Sequence, residues 1–128
     1  MMQNGKQTTG KRGEQEACNY LLSLGHTIVA RNWRSAHLEL DIITLLGDEL
    51  HIVEVKSRTA PVMAAPEVNV NRVKQERLVR GAKAFLHSAG RRSLPADLET
   101  VFDVITVVFG DGTTEIEYYP KAFTPIYV

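Results

Sequence analysis

Two apolar runs joined by a two-residue break occupy the middle of this chain, in "LDIITLLGDELHIVEVKSR" at residues 40–58. Gly47-Asp48 between them is the short, turn-forming connection of an antiparallel hairpin, and the flanking Ile, Val and Leu suit strands. The segment therefore commits the chain to a sheet whose faces the remaining residues must cover. Charges interrupt it at three places: Asp41 opens the first run, and Glu54 and Lys56 break the far end of the second. Side chains alternate across a strand, so Glu39 and Asp41 point one way. Glu54 and Lys56 likewise share a face, and Val53 and Val55 turn to the opposite one.

The other elements follow from periodicity and punctuation. "GKRGEQEACNYLLSLG", preceded by Thr8 and Thr9, has helical spacing and stops at Gly25. Glu14, Ala17, Cys18 and Leu21 fall on one stripe of it. "HTIVARNWR" reads as a first strand, "HLELDIITLL" as a second and "ELHIVEVKS" as a third. A loop with Pro61 and Pro66 follows, then a helix capped by Asn69 or Asn71 and running to about Ser88. After a linker, "TVFDVITVVF", a "GDG" turn and "TTEIEYYP" give a second hairpin. The order α-β-β-β-α-β-β implies a mixed α/β sheet flanked by helices. A length of 128 residues fits one domain over 1–128, with 1–8 flexible and 120–128 a docking tail.

Composition excludes several function classes. The single cysteine, Cys18, permits neither an internal disulfide nor a cysteine zinc cluster, and its apolar helix stripe makes it core. No apolar run approaches the roughly 20 residues that span a bilayer, and no apolar segment follows the N-terminal charges, so a cytoplasmic protein with no membrane partner is expected. His26, His37, His51 and His87 are scattered without ligand spacing and receive no catalytic role. The net charge of zero conceals an asymmetry: residues 1–96 hold 14 Lys/Arg against 9 Asp/Glu, and residues 97–128 hold 1 against 6. That leaves room for one basic face.

Pairing of the two central strands brings Asp41, Glu54 and Lys56 toward one edge of the sheet. Carboxylates so gathered would be costly if dry and unpaired, and a divalent cation would offset their repulsion. Mg²⁺ is held by one or two carboxylates, waters and substrate phosphate, and Lys56 could then position a water or hold a phosphate oxygen. The bland alternative makes Glu54 and Lys56 solvated residues in cross-strand pairs. Spacing alone does not decide between them.

Asp41, twelve residues, then Glu54-Val55-Lys56 resembles the D-x(n)-(D/E)-x-K signature of restriction-endonuclease-like nucleases. The wider pattern resembles the YraN-like family of uncharacterised bacterial proteins, which are similar to archaeal Holliday junction resolvases. The features that carry it are "GKRGEQEA" at 10–17, "RNWR" at 31–34, "ELD" at 39–41, "VEVKSR" at 53–58, Lys74, and "FDV" at 102–104. The resemblance implies a restriction-endonuclease-like core in which Asp41, Glu54 and Glu14 hold Mg²⁺ or Mn²⁺ and Lys56 assists the attacking water. Glu39 and Lys74 would stand in a second tier. For Glu14 an alternative is a first-turn acid favoured by the helix dipole. Leu38 and Val101 stand where the family commonly has Gly and Arg, and Asp103 is left between a structural acid and a site residue.

"NRVKQERLVRGAKAFLHSAGRR" carries Arg72, Lys74, Arg77, Arg80 and Lys83 against the single acid Glu76. Lys74 is in line with Leu78, Ala82 and Phe85, so its stem runs along the buried side toward the charged hairpin edge. Arg72, Arg80 and Lys83 point outward. One reading is a phosphate-contacting face that Lys11, Arg12, Arg31, Arg34 and Arg58 extend. The other is a solvated helix whose long stems cover apolar surface. Trp33 could stack on a base, but one tryptophan in a strand is more often core. Three functions remain: a metal-dependent, structure-selective DNA endonuclease, a nucleic-acid-binding protein without cleavage, or a protein-interaction module using "AFTPIYV". For the first, likeness to the resolvases adds branched DNA and a homodimer.

Overall fold

Apolar side chains stand on both faces of the central strands, so the sheet has to be covered twice. The computed structural model describes residues 5–61 and 69–125, with side chains from residue 9 onward. Helix α1 (Gly5–Ser23) precedes strands β1 (Thr27–Ser35), β2 (Leu38–Leu46) and β3 (Glu49–Thr59). Helix α2 (Arg72–Leu86), a short 3-10 helix (Ala89–Ser93), β4 (Glu99–Phe109) and β5 (Thr114–Phe123) follow. The expected order α-β-β-β-α-β-β is the one found.

The strands form one sheet in the order β1-β2-β3-β4-β5. β3 and β4 are parallel, with α2 in the crossover between them, and every other neighbouring pair is antiparallel. Alternation decides which helix covers which residues. Leu50 and Ile52 of β3, with Phe102 and Val104 of β4, pack beneath Leu78, Val79, Ala82 and Phe85 of α2. Val53, Ile105 and Val107 face the other way and meet Ala17, Cys18 and Leu21 of α1. Each stripe gains on the order of 25 cal/mol for each square ångström of apolar surface removed from water. Trp33 packs edge-on against Phe85, with ring centroids 5.4 Å apart, so it belongs to the core rather than to a base-stacking surface.

Three boundaries differ from the sequence expectation. α1 begins at Gly5, not near Gly10, so Glu14 lies beyond its first turn and the helix-dipole account of that acid does not hold. Of the stretch expected to be flexible, residues 5–8 are therefore helical and 1–4 lie outside the described residues. β5 runs on through Pro120 to Phe123, so the first residues of the expected tail are strand. An edge strand tolerates a proline that donates no hydrogen bond. Phe123 stacks on Phe102 at 4.9 Å, and residues 126–128 lie outside the described residues.

Asp103 has a structural task. It is buried, and its Oδ2 accepts from His51 Nδ1 at 2.6 Å and from the Tyr118 hydroxyl at 2.5 Å. Its Oδ1 accepts from the Lys121 backbone N–H at 2.9 Å. Lys121 sits at a positive φ of 53° beside the register shift between Phe102 and Val104, so the carboxylate holds the irregular end of β5 against β4. Burial and the Asp103 carboxylate push the Tyr118 hydroxyl well above the ordinary tyrosine range, which keeps it a donor. His26 lies against His51 with ring centroids 4.6 Å apart and planes tilted by 60°, and bonds Thr44 Oγ1 at 2.7 Å. Burial and the neighbouring His51 push its pKa down. Sequence reasoning missed this cluster because its members come from four separate elements with no local spacing.

Replacing a buried, triply bonded carboxylate leaves three donors unpaired. Asp103→Ala is expected to cost about 3 kcal/mol of unfolding free energy, and Tyr118→Phe about 1 kcal/mol, both read by urea denaturation. Losses within about 0.5 kcal/mol, the range of neutral surface substitutions, would show that Asp103 does not hold β5.

Candidate functional site

Pairing between β2 and β3 runs from Leu46↔Glu49 to Ile42↔Val53 and goes no further, although both strands continue. Past that point β2 stays paired with β1, and β3 stays paired with β4 to Thr59↔Phe109. The sheet therefore forks, and the fork exposes backbone groups of β3 that β2 no longer satisfies. Asp41 resolves one of them: its Oδ2 accepts the Val55 N–H at 2.9 Å. The acid that opens the first apolar run thus stands where the two ribbons part.

Glu54 adjoins it across the fork. Burial, the Glu54 charge and a hydrogen bond to Glu54 push the Asp41 carboxyl up, and the Glu14 charge adds a smaller push. The Val55 N–H pulls it down, and the outcome is about 8, against an ordinary value of 3.8. At about 8 the Asp41 carboxyl keeps its proton at neutral pH and donates it in the hydrogen bond to Glu54. On the other side of Glu54, Lys74 Nζ lies 3.2 Å from Oε2, with the Glu54 side chain 14% exposed and that of Lys74 43%. Asn71 caps α2 by accepting the Lys74 N–H at 2.9 Å, which sets where the helix starts and hence where Lys74 emerges.

Glu14 is half-buried on the stripe of Ala17, Cys18 and Leu21 that faces the sheet. Gly13 beside it is pressed against Ser57 of β3, where a Cβ would lie 1.8 Å from the hydroxyl oxygen. That contact brings Glu14 into electrostatic range of Asp41. It does not complete a triad: among the described residues, no three His, Cys, Asp or Glu side chains gather closely enough to hold a metal ion. Asp41 and Glu54 are brought together, and Glu14 is brought near. Glu39 is half-exposed and paired with Arg34, whose Nε lies 2.7 Å from Oε2, so it belongs to the rim.

Two adjoining clefts meet at Lys74. One, of about 290 Å³, is lined by Arg34, His37, Glu39, Asp41, Lys74 and Arg77, among others. Its rim is stiffened where Arg77 Nη2 donates to the His37 carbonyl at 3.3 Å. The second, of about 440 Å³, is lined by Lys56, Asn69, Val70, Asn71 and Lys74. Lys74 belongs to both. Lys56 shares the α2 face with Glu54, as alternation requires, but it opens into the second cleft rather than the one that holds Asp41.

The remaining cations divide between the two sides of the sheet. Arg34, Lys74 and Arg77 surround the first cleft, and Arg72 continues outward along α2, 3.5 Å from Glu76. Arg80 and Lys83 are exposed, as expected. Lys11, Arg12 and Arg58 lie toward the far end of β3, where α1 crosses. There Arg12 stacks over Phe109 at 4.1 Å, and Arg58 Nη1 donates to the Ser57 carbonyl at 2.8 Å. Arg31 reaches back to Gln15 Oε1 of α1 at 3.1 Å. The basic residues do not merge into a single patch.

Two neighbouring carboxyl groups, one of them on a cleft wall, suit a cation such as Mg²⁺, which takes few protein ligands and completes its octahedron with water and phosphate oxygen. A buried acid pair held at the cost of a retained proton is also the environment such an ion relieves. Among the described residues, no helix is long and apolar enough to cross a membrane.

The family model described as "Uncharacterised protein family UPF0102" matches residues 13–107. A "UPF0102 protein" of Bacteroides thetaiotaomicron is 40% identical over 116 residues, covering 91% of this chain and 92% of the relative. Similar relatives of the same description occur in Nitratidesulfovibrio vulgaris, at 38% over 122 residues with 95% and 88% covered. One from Anaeromyxobacter dehalogenans is 36% identical over 120 residues, with 94% and 87% covered. The matched segment includes Glu14, Asp41, Glu54, Lys56 and Lys74.

The proton retained at the fork has a thermodynamic sign. A folded-state pKa near 8 against an ordinary 3.8 means the folded chain binds more protons between those values. Its contribution to stability is therefore full below about 4 and is lost as pH rises through about 8. Measured by urea denaturation in a chelator, wild type is expected to lose stability relative to Asp41→Asn by about 1 kcal/mol per pH unit between roughly pH 5 and 8. Asparagine keeps an acceptor for the Val55 N–H and carries no charge. Parallel pH profiles would exclude a raised Asp41.

Proposed function

This chain belongs to the uncharacterised protein family UPF0102, and we propose that it is a divalent-metal-dependent DNA endonuclease that hydrolyses phosphodiester bonds in the cytoplasm. The observation that carries this reading is the Asp41–Glu54 pair at the fork of the sheet, with lysines on its open side. Asp41 and Glu54 would hold Mg²⁺ or Mn²⁺, with Glu14 acting through water from the α1 side. A cation bound there supplies Lewis acidity toward phosphate and water and neutralises charge that develops on the phosphoryl oxygens.

The protein's own groups do the positioning. Lys56 donates to a phosphate oxygen or orients the attacking water from the second cleft. Arg34, Arg77 and Arg72 hold neighbouring phosphates along the α2 side, while Lys11, Arg12 and Arg58 can meet only a substrate that reaches around the sheet edge. The Val55 N–H fixes Asp41 by donating to its Oδ2. No segment of the sequence resembles a base-reading module, so selectivity would fall to the shape of the DNA. Branched DNA and a homodimer are the substrate and state that the resolvase likeness suggests.

A second reading, a nucleic-acid-binding protein without cleavage, is favoured by one observation: the carboxylates close enough to share a metal number two rather than three among the described residues. Incubation with linear, flapped and four-way DNA in Mg²⁺ and in Mn²⁺ separates the two. Wild type is expected to nick or cut at least one branched form, with Asp41→Asn and Lys56→Ala reducing the rate by about 100-fold or more. Cleavage that survives both substitutions would be another enzyme's. Salt-dependent binding with no product in either metal would select the second reading.

A further inference from the structure

Lys74 stands in an unusual position for a phosphate-binding residue. Its ammonium is already spent on Glu54 Oε2, 3.2 Å away, one of the oxygens a cation would need. Its side chain is also the wall between the two clefts: Asp41 lies on one side of it, and Lys56, Asn69 and Asn71 lie on the other. Lys74 is less buried than Glu54, so its ammonium can turn away from the carboxylate at smaller solvation cost than the carboxylate can move. An ammonium and a dication on the same carboxylate oxygen repel each other, and Lys74 also lines the second cleft, into which it can turn.

Building on the metal-dependent reading, we infer that Lys74 is a positioning residue that occupies Glu54 in the cation-free protein and swings to a backbone phosphate in the second cleft when a cation takes the carboxylate. Cation and phosphate then bind cooperatively, because the first releases the residue that receives the second, and the coupling is reciprocal. The exchange also gives the cation-free site a counter-charge, so that Glu54 is not left as a buried unpaired anion. Lys74 would thus connect the ion site to the backbone track without touching the reacting atoms.

The test separates the two affinities. Mn²⁺ uptake by wild type and Lys74→Met is measured by calorimetry without nucleic acid, and binding of a short labelled oligonucleotide is measured by anisotropy in a chelator and in Ca²⁺. Methionine keeps much of the stem and removes the ammonium. Its Mn²⁺ affinity is expected to rise about two- to fivefold, the scale of a partly exposed ion pair, while oligonucleotide affinity in Ca²⁺ falls by a similar factor. The salt dependence of binding should lose about one phosphate contact. Lys74→Gln, with melting temperature recorded for both variants, guards against a folding defect. Mn²⁺ affinity that is unchanged or weaker in variants melting like wild type would overturn the exchange. Absence of Mn²⁺ uptake by wild type itself would remove the metal reading, and this inference with it.

Discussion

The hydrogen bond from the Val55 N–H to the Asp41 carboxyl is the interaction on which the site depends. A sheet cannot leave buried backbone donors unpaired without a cost comparable to a lost hydrogen bond, so strands that part must find substitutes. Here the substitute is a side chain, and it is an acid. Using Asp41 for this purpose draws a carboxyl into the fork, next to Glu54 and out of water. The local backbone geometry and the electrostatics of the site are therefore one arrangement, since the group that terminates the β2–β3 ladder also creates the acid pair.

What surrounds the fork shows how such an arrangement is held. α1 and α2 cover opposite faces, and each meets the fork with one functional group: Glu14 follows the Gly13–Ser57 contact on one side, and Lys74 follows the Asn71 cap on the other. Both groups are aimed by packing in the element that carries them, not by loops. At the other end of β3, the buried bonds of Asp103 to His51, Tyr118 and Lys121 secure β5 to β4. β4 in turn backs β3 along its whole length, so β3 keeps one firm neighbour where it loses the other. The fork can open because the strand beside it is fixed.

Much of this was legible in the chain itself. The Gly47-Asp48 turn and the aliphatic runs gave the hairpin, and alternation correctly set Glu54 and Lys56 on one face and Val53 on the other. The line of Lys74, Leu78, Ala82 and Phe85 gave the buried side of α2. What escaped was non-local. No spacing rule tells where β2 stops pairing with β3, so the fork that sets Asp41 on one cleft and Lys56 on the adjoining one has no signal in the sequence. The Arg34–Glu39 pair that draws Glu39 to the rim joins two strands across a hairpin whose register had not been fixed. His51, Asp103 and Tyr118 come together only through the parallel β3–β4 pairing and the β5 irregularity, neither of which leaves a local signature.

A carboxyl pair that retains a proton is a poor way to stabilise a small domain. An apolar or amide residue could cap the fork or fill it with less desolvation cost, and the Asp41–Glu54 arrangement makes the protein less stable as pH rises. Sequences that depart from local consistency at one point usually do so where function is seated. The lysine wall sharpens that inference. If the acids were only structural, a single counter-ion would serve, and Lys74 already provides it to Glu54. Lys56, two residues along the same strand face, stands on the wall of the second cleft, which Lys74 also lines. A phosphate lying in that cleft would meet both lysines, so one wall would serve the acid pair and a bound backbone together.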